Sequence, residues 1–428
     1  MKRVSELIGW IFCNRSGKEI LARLAEVLLG YPLYLLSFLM KRDALKWAIG
    51  GKVGFADNPK YFYLYLAMNC VRDVRYCWIA GNRKDVPALR AKGIECCYKW
   101  SPKGIWYCLT AGKYIYSCHL TDINFWTSGG VEGVNLWHGV GIKCIEFKTR
   151  SGPEKRIYDE KNKVARLFLP HLFRRPDLFL STSSLMTRHF AECFRISERQ
   201  CMRSGYPRCD IFHWSRAELR SFIEKYEGPE SLALVRRMES SSKVYIYMPT
   251  YRDTQTDFFA ASGIDLRRLD TELRETEALL LIKMHPATRM GADHAAAGLT
   301  NILFLDPCMD VYPLLPFTDV LITDYSSIYY DYLLMESKSV LLFPFDYEEY
   351  IATCRDLAFD FDTYTPGPRI HTFPELLNAI RNGVAPDFEN KRWVTDMFWE
   401  DRKQCSAGDI YRRIKRNPDE VVVTEDRQ

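Results

Sequence analysis

The spacing of hydrophobic and polar positions changes along the chain. From Glu19 to Trp47, "EILARLAEVLLGYPLYLLSFLMKRDALKW" repeats apolar residues at helical spacing, and its uncharged part from Val27 to Met40 is flanked by Glu26 and by Lys41 and Arg42. That part is shorter than the roughly 20 apolar residues a bilayer span needs, and it contains Gly30 and Pro32. Two readings are open. One is a helix buried on the first domain; the other is an interfacial helix on the inner leaflet, helped by Lys2, Arg3, Arg15, Lys18 and Arg23.

From about Lys52 the pattern becomes short apolar runs separated by polar turns and helical stretches. "YCWIAG" (76–81), "KYIYSCH" (113–119), "GVNLWHG" (133–139) and "DLFLSTSS" (177–184) predict strands of one parallel sheet with crossover helices. A charged helical stretch from Arg216 to Ser241 leads to a second series: "KVYIYMPTY", "LLLIKMHP", "NILFLD", "DVLITDYSS" and "SVLLFPFD". The C-terminal part reads as helices near Pro374–Asn382 and Lys391–Cys405, then a charged tail from Arg416.

The expected fold is therefore α/β, with two Rossmann-like domains after an N-terminal helical segment. The segments run 1–50 (N-terminal helix), 51–215 (first domain), 216–241 (helical linker), 242–385 (second domain) and 386–428 (C-terminal helix and tail). Ligands collect at the carboxyl ends of parallel strands, so the expected site is the cleft between two such sheets.

Length and composition agree with this. At 428 residues the chain exceeds one ordinary core, and 47% hydrophobic with 14% aromatic residues excludes a disordered or fibrous protein. A net charge of +5, with both signs interspersed, does not suggest nucleic-acid binding. The 14 cysteines include no CxxC pair and have no histidine at metal-ligand spacing, so they read as reduced, mostly buried thiols. No signal peptide with a recognisable cleavage site is seen, which places the expected protein inside the cell.

The candidate chemistry sits where strands end. "NLWHGVGIK" places His138 after an apolar run, followed by Gly139, Gly141 and Lys143: an imidazole that can take a proton, backbone that can approach a ligand closely, and a cation. "IKMHPATR" brings Lys283, His285 and Arg289 to another strand end, and "YMPTYRD" brings Thr250 and Arg252. Each alone reads better as a structural hydrogen-bonder or a solvated loop. Together they point to an anionic ligand. In "LITDYSSIYYDYLLMESK", Asp324 ends a strand, Ser326 and Ser327 occupy a helix N-cap region, and the following segment predicts a helix with one buried face. A helix N-terminus with two hydroxyls suits phosphate. No acidic pair of DxD type stands out for a metal.

At these residues the sequence resembles the CDP-glycerol glycerophosphotransferase family, which makes teichoic acids and related capsule polymers. The motifs are "WHGVGIK" (137–143), "GYPRCD" (205–210), "MPTYRD" (248–253), "KMHP" (283–286), "DVLITDYSSIYYDYLL" (319–334) and "PFDYEEY" (344–350), with "GFADNPKYFYLY" near the start of the first domain. The resemblance implies a GT-B-like pair of domains and transfer of an alditol phosphate from a CDP-alditol with release of CMP. It also implies a lipid-linked or polymer acceptor, and a peripheral position on the cytoplasmic membrane face. It implies His138 as general base and His285, Arg252, Thr250, Asp324, Ser326 and Ser327 on the donor phosphates. Lys143 and Arg208 are placed near the acceptor or as charge-stabilising groups. Beyond the CDP-alditol substrate, no cofactor or metal is expected. A nucleotide-sugar glycosyltransferase of the same architecture and a non-catalytic ligand-binding protein are the alternatives.

Overall fold

A computed structural model of the chain describes residues 17–151, 154–159, 161–252, 258–285, 288, 298–354, 356–384, 388–400, 402 and 404–415. The chain forms two compact units, each discontinuous in sequence: residues 1–138, 156–210 and 401–428 make the first, and residues 139–155 and 211–400 the second.

The first unit is built on a seven-stranded parallel sheet. Its strands are β1 (Asp43–Ile49), β2 (Arg75–Ala80), β3 (Cys96–Tyr98), β4 (Ala111–Tyr116), β5 (Glu132–Asn135), β6 (Leu178–Ser181) and β7 (Cys201–Arg203), in the order β3-β2-β1-β4-β5-β6-β7. The four runs expected as strands are β2, β4, β5 and β6. The helical pattern drawn through Trp47 needs correction: the helix ends at Ser37, and Asp43–Ile49 is the strand β1, paired with both β2 and β4. Arg42 makes the break, because its guanidinium donates to the carbonyls of Cys108, Ala111, Thr127 and Gly129. Five donors in one planar fork gather loops that helix continuation would leave unpaired.

The helix Gly17–Ser37 packs along one face only. Tyr34 stacks on Phe125 with ring centroids 4.8 Å apart, and Tyr31 meets Trp126 edge-on at 5.2 Å. Gly30 permits the approach, since a Cβ there would stand 2.3 Å from the Trp126 ring. The opposite face carries Leu21, Leu28, Leu29, Leu35 and Leu36, exposed by 58% (Leu36) to 75% (Leu29). Among the described residues no helix is long and apolar enough to cross a membrane. Lys2, Arg3 and Arg15, and the side chains of Lys18 and Arg23, lie outside what is described.

The second unit has a five-stranded parallel sheet in the order β10-β9-β8-β11-β12, with β8 (Lys243–Tyr247), β9 (Ala278–Ile282), β10 (Ile302–Phe304), β11 (Val320–Thr323) and β12 (Ser339–Leu342). All five expected runs are present. β9 is buried along its whole length, as a strand covered on both faces must be. Chain order reverses between β8 and β11, the position where open α/β sheets leave a crevice. The helix expected after Ser327 is shorter than its pattern suggested. Only Ile328–Tyr332 is α-helical, and all five residues are buried, so the segment has no solvent face. Asp331 lies inside, accepting from the Tyr312 hydroxyl at 2.5 Å.

Candidate functional site

In the first unit β1, β4 and β5 are neighbours in the sheet, and His138 follows the carboxyl end of β5. Within residues 133–140, His138 is the exposed one. Its Nδ1 lies 3.0 Å from the carbonyl oxygen of Ser117, just past β4. A carbonyl can only accept, so Nδ1 carries the proton and Nε2 keeps its lone pair. The density of protein around the ring disfavours the imidazolium and lowers its pKa below the ordinary value; Asp57 opposes this, and Lys52 and Arg208 add to it. His138 is thus a neutral proton acceptor near pH 7.

The backbone beneath it is held from elsewhere in the chain. The Asn58 side-chain amide, fully buried, donates to the carbonyls of Leu136 (3.0 Å) and Trp137 (2.9 Å), and its Oδ1 accepts from the Arg208 N–H at 3.2 Å. The Arg208 guanidinium, 4% exposed, bridges Asp57 (2.6 Å) and the carbonyl of His138 (2.8 Å). Arg208 therefore supports the loop and does not face outward as a group for the acceptor. Its neighbour Asp210 accepts from the backbone N–H groups of Ser406 and Ala407 at 2.8 and 2.9 Å, docking the last described helix, Ser406–Lys415. Burial pushes the Asp210 pKa up to about 7 against the pull of these bonds. His119 and His171 form an imidazole pair with ring centroids 5.7 Å apart; burial, then the His171 charge, holds the His119 pKa well down.

In the second unit the charged candidates are spent on one another. Arg252 makes a two-pronged contact with Asp346, Nε and Nη2 each 2.8 Å from a carboxylate oxygen, and its Nη1 reaches Asp324 at 2.7 Å. Asp324, fully buried, also accepts from the backbone N–H groups of Thr250 (2.9 Å) and Tyr325 (2.6 Å). Burial opposes the Arg252 charge, but Asp324 and Asp346 more than offset it and raise its pKa. The Tyr325 and Tyr350 rings, stacked at 4.1 Å, lie beside the guanidinium. This network ties the ends of β8, β11 and β12 together.

Ser326 and Ser327 are half-buried, and Ser327 makes no capping hydrogen bond with its side chain. Gly141 lies against them: a Cβ there would be 3.5 Å from the Ser327 Cβ. Lys143 bridges to Leu357 through its backbone and holds its ammonium 5.6 Å from the Tyr350 ring centroid. His285 is exposed, with the Tyr251 ring 5.2 Å away; Pro286 and Arg289 lie outside the described residues. A cavity of about 570 Å³ opens beside the network, lined in part by Thr250, Tyr251, Arg252, Asp346, Glu348 and Glu349. With Arg252 already paired, the excess charge of that lining is negative, so it suits hydrogen-bond donors better than phosphate.

The structure thus brings Arg252, Thr250 and Asp324 together in one network, and sets the glycine loop of Gly141 beside Ser327. Sequence reasoning missed Asn58, Asp57 and Asp346. All three lie inside quoted motifs, "GFADNPKYFYLY" and "PFDYEEY", where the available signal was an acid and amide opening a helix (Asp57, Asn58) and an acid soon after a strand (Asp346).

Comparison with known proteins follows the same lines. The model of the family described as CDP-glycerol:poly(glycerophosphate) glycerophosphotransferase matches residues 31–416. The teichoic acid ribitol-phosphate polymerase TarL of Staphylococcus aureus is 27% identical over 289 residues, covering 67% of this chain and 47% of that protein. The poly(glycerol phosphate) polymerase of Bacillus subtilis is 26% identical over 349 residues, covering 78% and 43%. The chain spans about half the length of these curated relatives. The teichoic acid glycerol-phosphate transferase of S. aureus is 22% identical, with 92% and 96% covered. The solved wall teichoic acid polymerase TagF superposes with a TM-score of 0.70 at 21% identity over 93% of this chain and 96% of that one, a likeness of fold.

Proposed function

The chain belongs to the CDP-glycerol:poly(glycerophosphate) glycerophosphotransferase family, a family of enzymes, and from that premise we propose that it transfers an alditol phosphate from a CDP-alditol to a hydroxyl of a cell-wall polymer or its lipid-linked primer. The observation that carries this reading is His138. Its Nδ1–H is committed to Ser117, and its ring is exposed. In the reaction Nε2 takes the proton of the acceptor hydroxyl, the hydroxyl oxygen bonds to the β-phosphorus, and the bond from that phosphorus to the bridging oxygen breaks to release CMP.

Ser326, Ser327 and His285 meet the charge of the pyrophosphate, while Arg252 and Asp324 hold the loops that carry them, and Thr250 and Lys143 border the same region. The cavity beside Arg252 takes the uncharged part of the donor. The resemblance implies a GT-B-like pair of domains for this transfer. A TagF variant soaked with CDPG supports a CDP-glycerol donor for the family. The exposed leucine face of Gly17–Ser37 supports contact with the cytoplasmic membrane surface, where a lipid-linked acceptor would lie.

The test is CMP release from CDP-glycerol and CDP-ribitol by the purified chain, with and without a membrane-lipid extract. Acceptor-dependent release that is lost in His138→Ala is the expected result. Silence with both donors, and release of a nucleoside diphosphate from a nucleotide sugar, would move the activity to glycosyl transfer.

A further inference from the structure

Asn58 and the loop it holds present an uncommon arrangement. In extended backbone successive carbonyls point to opposite sides, yet the carbonyls of Leu136 and Trp137 both receive hydrogen bonds from one amide nitrogen. The turn that lets them do so is at Trp137, whose φ is +49°, a left-handed conformation that bulky residues rarely adopt. Trp137 is also fixed by its N–H donating to Asn135 Oδ1 at 2.8 Å and by packing against Phe194 at 4.8 Å. A glycine would take this conformation without strain; a tryptophan needs it imposed.

The imposing groups come from two distant segments. Asn58 opens the helix Asp57–Met68, and Arg208 follows β7. The Arg208 N–H on Asn58 Oδ1 fixes which end of the amide faces the loop, and the Arg208 guanidinium takes the next carbonyl, that of His138, while paired with Asp57. Three consecutive carbonyls are thereby held, and the one exposed side chain in the run is the imidazole at its end.

We propose that Asn58 and Arg208, with Asp57 behind them, are positioning residues that aim His138 by holding the backbone of residues 136–138. This rests on His138 acting as the base. A group that must meet a hydroxyl in line with a phosphorus tolerates little displacement, and misplacement by about 1 Å costs on the order of 100-fold in rate. The clamp holds the backbone of residues 136–138 while His138 itself stays exposed.

The test uses the full chain and compares Asn58→Asp, Arg208→Lys and Asn58→Ala with and without Trp137→Gly. The Asn58→Asp change keeps the shape but removes both donors. The expected result is a kcat for CMP release lowered about 100-fold, with KM for CDP-glycerol within about twofold. By ¹⁵N NMR, His138 should lose its single Nδ1–H tautomer. Arg208→Lys should lose about tenfold in kcat by the same route. Trp137→Gly should restore part of the kcat lost in Asn58→Ala, because glycine adopts the left-handed turn unaided. Wild-type kcat and tautomer in folded Asn58→Asp would overturn the proposal. So would a loss of kcat that only follows the loss of folded protein, with no recovery through glycine. If the wild-type chain releases no CMP from either donor, the functional reading falls, and the His138 tautomer in the variants still decides whether the clamp aims the ring.

Discussion

The loop after β5 and the loop after β11 both carry motifs of the same family pattern, yet they use charge in opposite ways. After β5, the polar groups Asn58, Asp57 and Arg208 are turned onto backbone and onto one another, so that a single neutral imidazole stands open. After β11, the strongest charges, Arg252, Asp324 and Asp346, neutralise one another inside the unit, and hydroxyls are left at the margin. The comparison teaches that the most charged residue of a motif need not be the one that meets the ligand. Its charge can be consumed in shaping the loop that does.

The largest expected effect separates the two loops. His138→Ala should lower turnover by about 10² to 10⁴ while leaving the thermal midpoint nearly unchanged, because the ring is exposed. Paired kinetics and thermal melts check this, and a melting point that falls with activity would erase the contrast. Next comes Arg252→Ala, which should cost about 3–5 kcal/mol of stability in urea titrations, since it strands two carboxylates in a buried network. Lost donor affinity in a variant of native stability would instead put the guanidinium on phosphate. Ser326→Ala and Ser327→Ala should each raise the KM for CDP-glycerol about tenfold without a change in stability, as expected for a hydrogen bond to a charged group. Destabilised serine variants with normal KM would return both residues to ordinary turn chemistry.

The smallest effect is one of pH. His138 has its pKa lowered, and the base form predominates above it, so the acid limb of kcat/KM should fall below about 6.5, the ordinary imidazole value. A limb above that value would assign the titration to another group.

Much of this architecture was legible in the chain. The second sheet could be read strand by strand because each strand sits in an apolar run set off by polar turns, β9 buried along its whole length. β1 was hidden because "DALKWAI" directly continues a helical period, and only Arg42, by gathering carbonyls some 66 to 87 positions away, breaks it. β3 and β7 are three residues each and, unlike β10 in the apolar run of "NILFLD", are closely flanked by polar residues that hide them. The same limit governed the site. The strand-end positions of His138 and the serine pair could be read from the sequence. The internal use of Arg252 could not, because its partner Asp346 lies 94 positions downstream and no local pattern links them.

The Asp210 carboxylate at the start of Ser406–Lys415 has a consequence for the order in which the protein is made. This helix, also joined to Asp73 through Tyr411 and Lys415, belongs to the unit whose sheet begins at Asp43. On the ribosome the first sheet is therefore synthesised before the second unit and must wait, with the Tyr65 seat for Gly408 unfilled, until the second unit has been translated and residues 406–415 return to it.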